Sequence, residues 1–137
     1  MKRIFVGALA MLTVLLMLLP AGAASAATTT SSAQITIEEK ADYDFVGGTI
    51  DVGLRIKCTG GSGSVIVDLE QYPPETPYPV ATGSGPQIVV CDGQPRTVGV
   101  TVAGFGFDAG KAYATATLTT DDLQTVTEAR RITIRVV

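Results

Sequence analysis

Apolar residues occupy every second position from Ile50 to Cys58, and this constrains the fold more than any other stretch. Ile50, Val52, Leu54, Ile56 and Cys58 share one face, and Asp51, Gly53, Arg55 and Lys57 share the other. Period-two alternation is the mark of a strand with one dry and one wet face. Cys58 is in phase with the dry face, so its sulfur is expected in the core. The rhythm recurs along the chain. Ile35 and Ile37 give a first strand. Val65, Val67 and Leu69 follow the Gly60-Gly61-Ser62-Gly63 turn. Gln87 to Cys91 reads as a short strand before the Asp92-Gly93-Gln94-Pro95 turn. Val98, Val100 and Val102 form another, and Ala112, Ala114, Ala116 and Leu118 the next.

The last strand, Thr125 to Val136, breaks phase. Ile132, Ile134 and Val136 point inward, and the same phase would carry Glu128 and Arg130 inward too. A bulge near Ala129 is the expected repair. Gln71 to Pro86 holds five prolines, at positions 73, 74, 77, 79 and 86, and reads as a loop or an edge with polyproline character. No stretch after the first 26 residues has helical periodicity. About seven short strands with turns between them predict an all-β, two-sheet antiparallel sandwich, with a barrel as the runner-up.

Residues 1–26 have the form of a secretory signal peptide. Lys2 and Arg3 open it, an apolar run follows from Ile4 to Leu19, and Ala24-Ser25-Ala26 offers a cleavage site. A second cut after Ala21-Gly22-Ala23 is the alternative. The run is about 16 residues, short of the roughly 20 that a spanning helix needs. Residues 27–33 contain only Ala, Thr and Ser and are expected to be a disordered leader, with the sandwich domain at 34–137. The final residues carry no hydrophobic tail and no sorting motif. A secreted, extracellular protein without stable membrane insertion is therefore expected.

Export puts Cys58 and Cys91, the two cysteines of the chain, in an oxidising compartment, where an even count predicts pairing. Closing a loop of about 33 residues would constrain the unfolded chain by roughly 3–4 kcal/mol. The formal net charge of −3 becomes −5 once Lys2 and Arg3 are removed. An acidic chain with only one basic pair, Arg130-Arg131, is a poor nucleic-acid binder.

Two local patterns carry a resemblance. Phe107-Asp108-Ala109-Gly110-Lys111-Ala112-Tyr113 resembles the corner before the sixth strand of fibronectin type III-like domains. Across residues 34–137 the chain resembles a group of exported actinobacterial proteins. The shared pieces are Arg55-Ile56-Lys57-Cys58, Gly63-Ser64-Val65, Cys91-Asp92-Gly93 and Phe107 to Ala112. The resemblance implies an immunoglobulin-like sandwich with one disulfide, and no particular activity.

The chain has no histidine, which removes Ser-His-Asp and Cys-His catalysis and most zinc sites. Asp68 with Glu70, or Asp42 with Asp44, are the carboxylate pairs on which glycosidase chemistry would have to rest, and a solvated strand face is the simpler reading. Asp42, Asp44, Asp121 and Asp122 are the candidate calcium ligands, but no EF-hand or glycine-Asp repeat organises them into the six to eight oxygens calcium takes, and a weak site made from two loops is the minor reading. No catalytic residue, metal or cofactor is expected. The candidate binding residues are Tyr72, Glu75 and Tyr78 in the proline-rich loop, with Phe105 in a second loop, beside Phe107 as a core plug. The expected function is a secreted, non-enzymatic binding or surface-interaction module for an extracellular protein or carbohydrate. A secreted inhibitor of an extracellular hydrolase is the alternative.

Overall fold

The structure is a computed structural model that describes residues 33–74 and 80–137. Residues 1–32, where the signal peptide and most of the leader are expected, and Glu75 and Tyr78 lie outside the described residues. Seven strands and no helix make up the described part: β1 (Gln34–Asp44), β2 (Thr49–Lys57), β3 (Gly61–Gln71), β4 (Ala81–Cys91), β5 (Arg96–Gly104), β6 (Gly110–Thr120) and β7 (Thr125–Val136). Their hydrogen-bonded order is β1-β2-β5-β4-β3-β6-β7, closed into a ring by β1 against β7. All pairs are antiparallel except β1 with β7, which is parallel. Labelled A to G in chain order, this is the immunoglobulin-like order, ABED facing CFG. The expected sandwich and its barrel runner-up meet in one object, because the two sheets are also joined at their corners.

Alternation carries through to packing. Ile50, Val52, Leu54 and Ile56 of β2 are buried, as are Val65, Val67 and Leu69 of β3 and Ala112, Ala114, Ala116 and Leu118 of β6. Each fully buried Val, Leu or Ile side chain contributes about 1.5–3 kcal/mol of transfer free energy. Ala33 is buried as well, so the packed domain includes the last residue expected in the leader. Cys58, just past β2, is bonded to Cys91 at the end of β4, with Cα atoms 4.6 Å apart. This bridge ties the second strand to the fourth, where antibody domains tie the second to the sixth.

Three expectations need correction. First, β4 starts at Ala81, so the loop is shorter than expected and Pro86 lies inside a strand. Pro86 stands opposite Ile66 of β3, and β5 pairs with β4 only at Gly83 and Ser84. A proline is tolerated on a stretch laddered on one side. The glycines that make 81–86 look like a loop serve a close approach instead. A Cβ on Gly83 would lie 2.8 Å from the Ala103 carbonyl oxygen, and one on Gly85 would collide with the Thr101 carbonyl.

Second, β7 has no bulge at Ala129. Its register with β6 runs unbroken from Thr125 opposite Thr119 to Ile134 opposite Gly110. Glu128 and Arg130 do point inward, half-buried. The Ile37 N–H donates to Glu128 Oε2 at 3.1 Å, and Arg130 Nη1 donates to the Ile37 carbonyl at 2.7 Å. Their polar ends thereby satisfy the backbone of a neighbouring strand. The bulge lies in β1, where Glu38, Glu39 and Lys40 stand between Ile37, opposite Leu54, and Ala41, opposite Val52. From Lys40, the last of the three, to Tyr43 the strand pairs with Thr133 to Val136.

Third, Val136 is 53% exposed at the end of β7, so the inward phase stops at Ile134. The corner before β6 keeps its apolar plug, and its tyrosine stays out of phase with the core. Phe107 is 3% exposed, whereas Tyr113 is 49% exposed on the outer face of β6.

Candidate functional site

The strand directions sort the connections into two ends. Cys58–Cys91 and the β2–β3, β4–β5 and β6–β7 turns lie at one end. The β1–β2 turn, the β3–β4 loop and the β5–β6 loop lie at the other, the loop end.

Two short connections build an apolar tip at the loop end. In the β1–β2 turn, Asp44 Oδ1 accepts the N–H groups of Val46 at 2.9 Å and Gly47 at 3.1 Å. Gly48 N donates to the Asp44 carbonyl at 2.9 Å, with Gly48 at φ +64°. A carboxylate that folds the chain back on itself in this way leaves the two central side chains pointing outward. Those residues are Phe45, 72% exposed, and Val46, 97% exposed. The β5–β6 loop is held from below. The Gln71 side chain donates to the Asp108 carbonyl at 2.9 Å and accepts from the Asp108 N–H at 2.9 Å. Phe107 fills the space above Gly83 and Gly104. Gly106, at φ +83°, reverses the chain, and Phe105 is left 88% exposed. Phe105 lies against the β1–β2 turn, since a Cβ on Gly48 would be 3.6 Å from its ring. Val80 is exposed beside Gly106.

Tyr72 is set apart from this tip. It leaves β3 on the outer face, where its hydroxyl donates to Glu70 Oε2 at 2.6 Å. That bond to a carboxylate raises the tyrosine pKa above its ordinary value, because the phenolate would lose the bond and meet a like charge. Its ring meets Tyr113 edge-on at 6.2 Å. Of the four candidate binding residues, Phe105 and Tyr72 are thus placed, on adjoining surfaces, and Glu75 and Tyr78 fall outside the described residues.

Sequence reasoning missed Phe45 and Val46. Two consecutive large apolar residues inside an Asp-x-x-Gly-Gly turn were the available signal, since a turn offers no core to bury them.

Most of the carboxylates that could serve catalysis or calcium have structural partners. Asp42 pairs with Arg135 at 2.5 Å. Asp44 folds its turn. Asp121 accepts from Ser62 at 2.6 Å, and Asp122 from the Thr120 hydroxyl. Asp68 and Glu70 share the outer face of β3. No group of three or more metal-ligating side chains occurs among the described residues. No helix among them is long and apolar enough to cross a membrane.

Comparison with known proteins finds no matching family model and no matching curated protein. Among solved structures, the chain is similar to murine CRIg at 15% identity, with a TM-score of 0.40. The likeness covers 77% of this chain and 98% of that one.

Proposed function

We propose that this chain is a secreted, non-enzymatic binding domain that engages an extracellular protein through the tip formed by Phe45, Val46 and Phe105. The observation that carries the reading is the exposure of these three side chains on two adjoining turns, each held by its own hydrogen bonds. A preordered apolar tip loses little entropy on docking, and buried aromatic anchors dominate most interfaces. The Cys58–Cys91 bridge supports export. The lack of histidine supports a role without catalysis.

Hydrolase inhibition is the second reading, and it would use the Tyr72-Pro73-Pro74 start of the proline-rich loop. The disulfide brackets that loop in sequence but lies at the opposite end of the strands, where it gives the loop no brace.

A photoreactive phenylalanine analogue at position 105 of the mature protein would crosslink the partner in culture fluid and cell-wall fractions. The crosslinked protein, once purified, should bind the Phe45→Ser, Val46→Ser, Phe105→Ser triple variant at least about thirtyfold more weakly than the parent. Equal affinity for parent and variant would remove the tip from the function.

A further inference from the structure

Beside the tip, the outer face of β4, β3, β6 and β7 carries a chemically asymmetric trough. Cross-strand register places Thr82, Glu70, Tyr113 and Arg131 in one row across these four strands. Ser84, Asp68, Thr115 and Ala129 form the next row. Four strands at about 4.8 Å spacing make each row roughly 14 Å wide. Depressions lined by Asp68, Glu70, Thr82, Ser84 and Thr115 continue past Tyr72 and Tyr113 to Lys111 and Arg131.

The two sides differ in charge. Among the described arginines, Arg55, Arg96, Arg130 and Arg135 each meet a carboxylate. Arg131 has no ion pair. Its guanidinium lies over the Tyr113 ring, 5.8 Å from the centroid. That distance is within cation–π reach and leaves the N–H donors of Arg131 without a carboxylate partner. Lys111 lines the same depression and is fixed by a 2.6 Å bond from its ammonium to Thr133 Oγ1. On the other side stand the acceptors Asp68 and Glu70 and the hydroxyls of Thr82, Ser84 and Thr115.

The geometry points to a glycan ligand in which a uronic acid is flanked by neutral sugars. Arg131 and Lys111 would take the uronate carboxylate. The neighbouring neutral sugar would lie along the half-exposed tyrosine pair and donate its hydroxyls to Glu70 and Asp68. An acidic peptide fits less well, because carboxylates arriving along the chain would meet Asp68 and Glu70. A fully neutral glycan would leave the cation pair unused. This site is distinct from the apolar tip and does not depend on it.

The test uses the oxidised mature protein and titration calorimetry with three probes: a hyaluronan hexasaccharide (alternating glucuronate and N-acetylglucosamine), the same hexasaccharide with its carboxyls reduced, and hexaglutamate. The intact hexasaccharide should bind, weaken as salt rises, and lose at least about tenfold in affinity with Arg131→Ala or with carboxyl reduction. The Phe105→Ser variant should bind it as the parent does. Circular dichroism of Arg131→Ala should match the parent, since the side chain is exposed. No binding of the hexasaccharide at millimolar concentration would overturn the assignment. So would equal binding of the reduced form, equal binding by Arg131→Ala, or tighter binding of hexaglutamate.

Discussion

Arg130 on β7 donates to the carbonyl of Ile37 on β1 at 2.7 Å, while the Ile37 N–H donates to Glu128 at 3.1 Å. Two side chains two residues apart thereby serve both backbone groups of one residue on the neighbouring strand. The direct backbone ladder between β1 and β7 starts only at the end of the β1 bulge, from Lys40 opposite Thr133. Arg130 also reaches Glu39 at 2.6 Å. Its removal should destabilise the fold by about 1–3 kcal/mol, the cost of leaving a half-buried carbonyl without its charged donor. Urea midpoints for Arg130→Ala, Glu128→Ala and the double variant would show non-additive losses. Additive losses would mean that the two side chains act separately.

Gly85 and Gly99 both lie in strands, and they should respond to substitution in opposite directions. A Cβ on Gly85 runs into the Thr101 carbonyl, and backbone cannot swing aside as a side chain does. Gly85→Ala should cost about 1–3 kcal/mol. Gly99 has open space around it and no left-handed φ. Gly99→Thr should stabilise the protein by about 0.5–1 kcal/mol, because a β-branched residue suits an exposed strand position. Thermal unfolding of the two variants side by side settles both signs.

Cys58→Ser with Cys91→Ser should lower stability by about 3–4 kcal/mol. The contacts around the bridge, Gly93 N to the Cys58 carbonyl at 2.7 Å among them, belong to the folded state and would survive. The double variant should therefore fold to the same structure with an earlier denaturation midpoint. An unchanged midpoint would show that the unfolded chain gains nothing from losing the crosslink.

The Asp92 carboxyl is held below its ordinary pKa, chiefly by the 2.5 Å bond from Arg96 and then by the Gln94 N–H. A carboxylate with a depressed folded-state pKa contributes stability above its unfolded value, and that contribution is lost as pH falls through the folded value. The side chain is solvent-exposed, so the effect on global stability should be small and readable by NMR. Asp92 should titrate below an ordinary aspartate, and Arg96→Ala should return it toward the usual range. A titration curve unmoved by Arg96→Ala would assign the depression to the turn backbone alone.

Much of the fold is legible in the sequence, and the exceptions have physical causes. Alternation in β2 places Ile50 to Ile56 and the Cys58 sulfur correctly, because burial on one sheet face is a local property of the chain. Glu128 and Arg130 look like errors of phase for the opposite reason. Their partner is Ile37, some ninety residues away, and no local pattern announces it. The start of β4 is hidden because Gly83 and Gly85 look like loop residues, when their lack of Cβ lets β4 pass close to β5. Phe107 is readable as a plug from its place before β6. Phe105 is resolved only by the structure, in which Gly106 turns the chain and separates the two rings. Tyr113 and Arg131 are adjacent only through the β6–β7 register, which the turn between Thr120 and Gln124 sets and local alternation does not encode.

The chain enters the domain through Ala33 and Gln34, at the end closed by the disulfide, since Gln34 stands opposite Lys57. Val137 lies at the other end, where its N–H donates to the Tyr43 carbonyl, one residue from the turn that carries Phe45 and Val46. The two attachment points are therefore not equivalent for an experimenter. An affinity tag or surface linker placed ahead of Ala33 holds the domain by its stapled base, with the phenylalanines facing outward. The same tag after Val137 would crowd them, and a binding assay built that way would report steric obstruction as weak affinity.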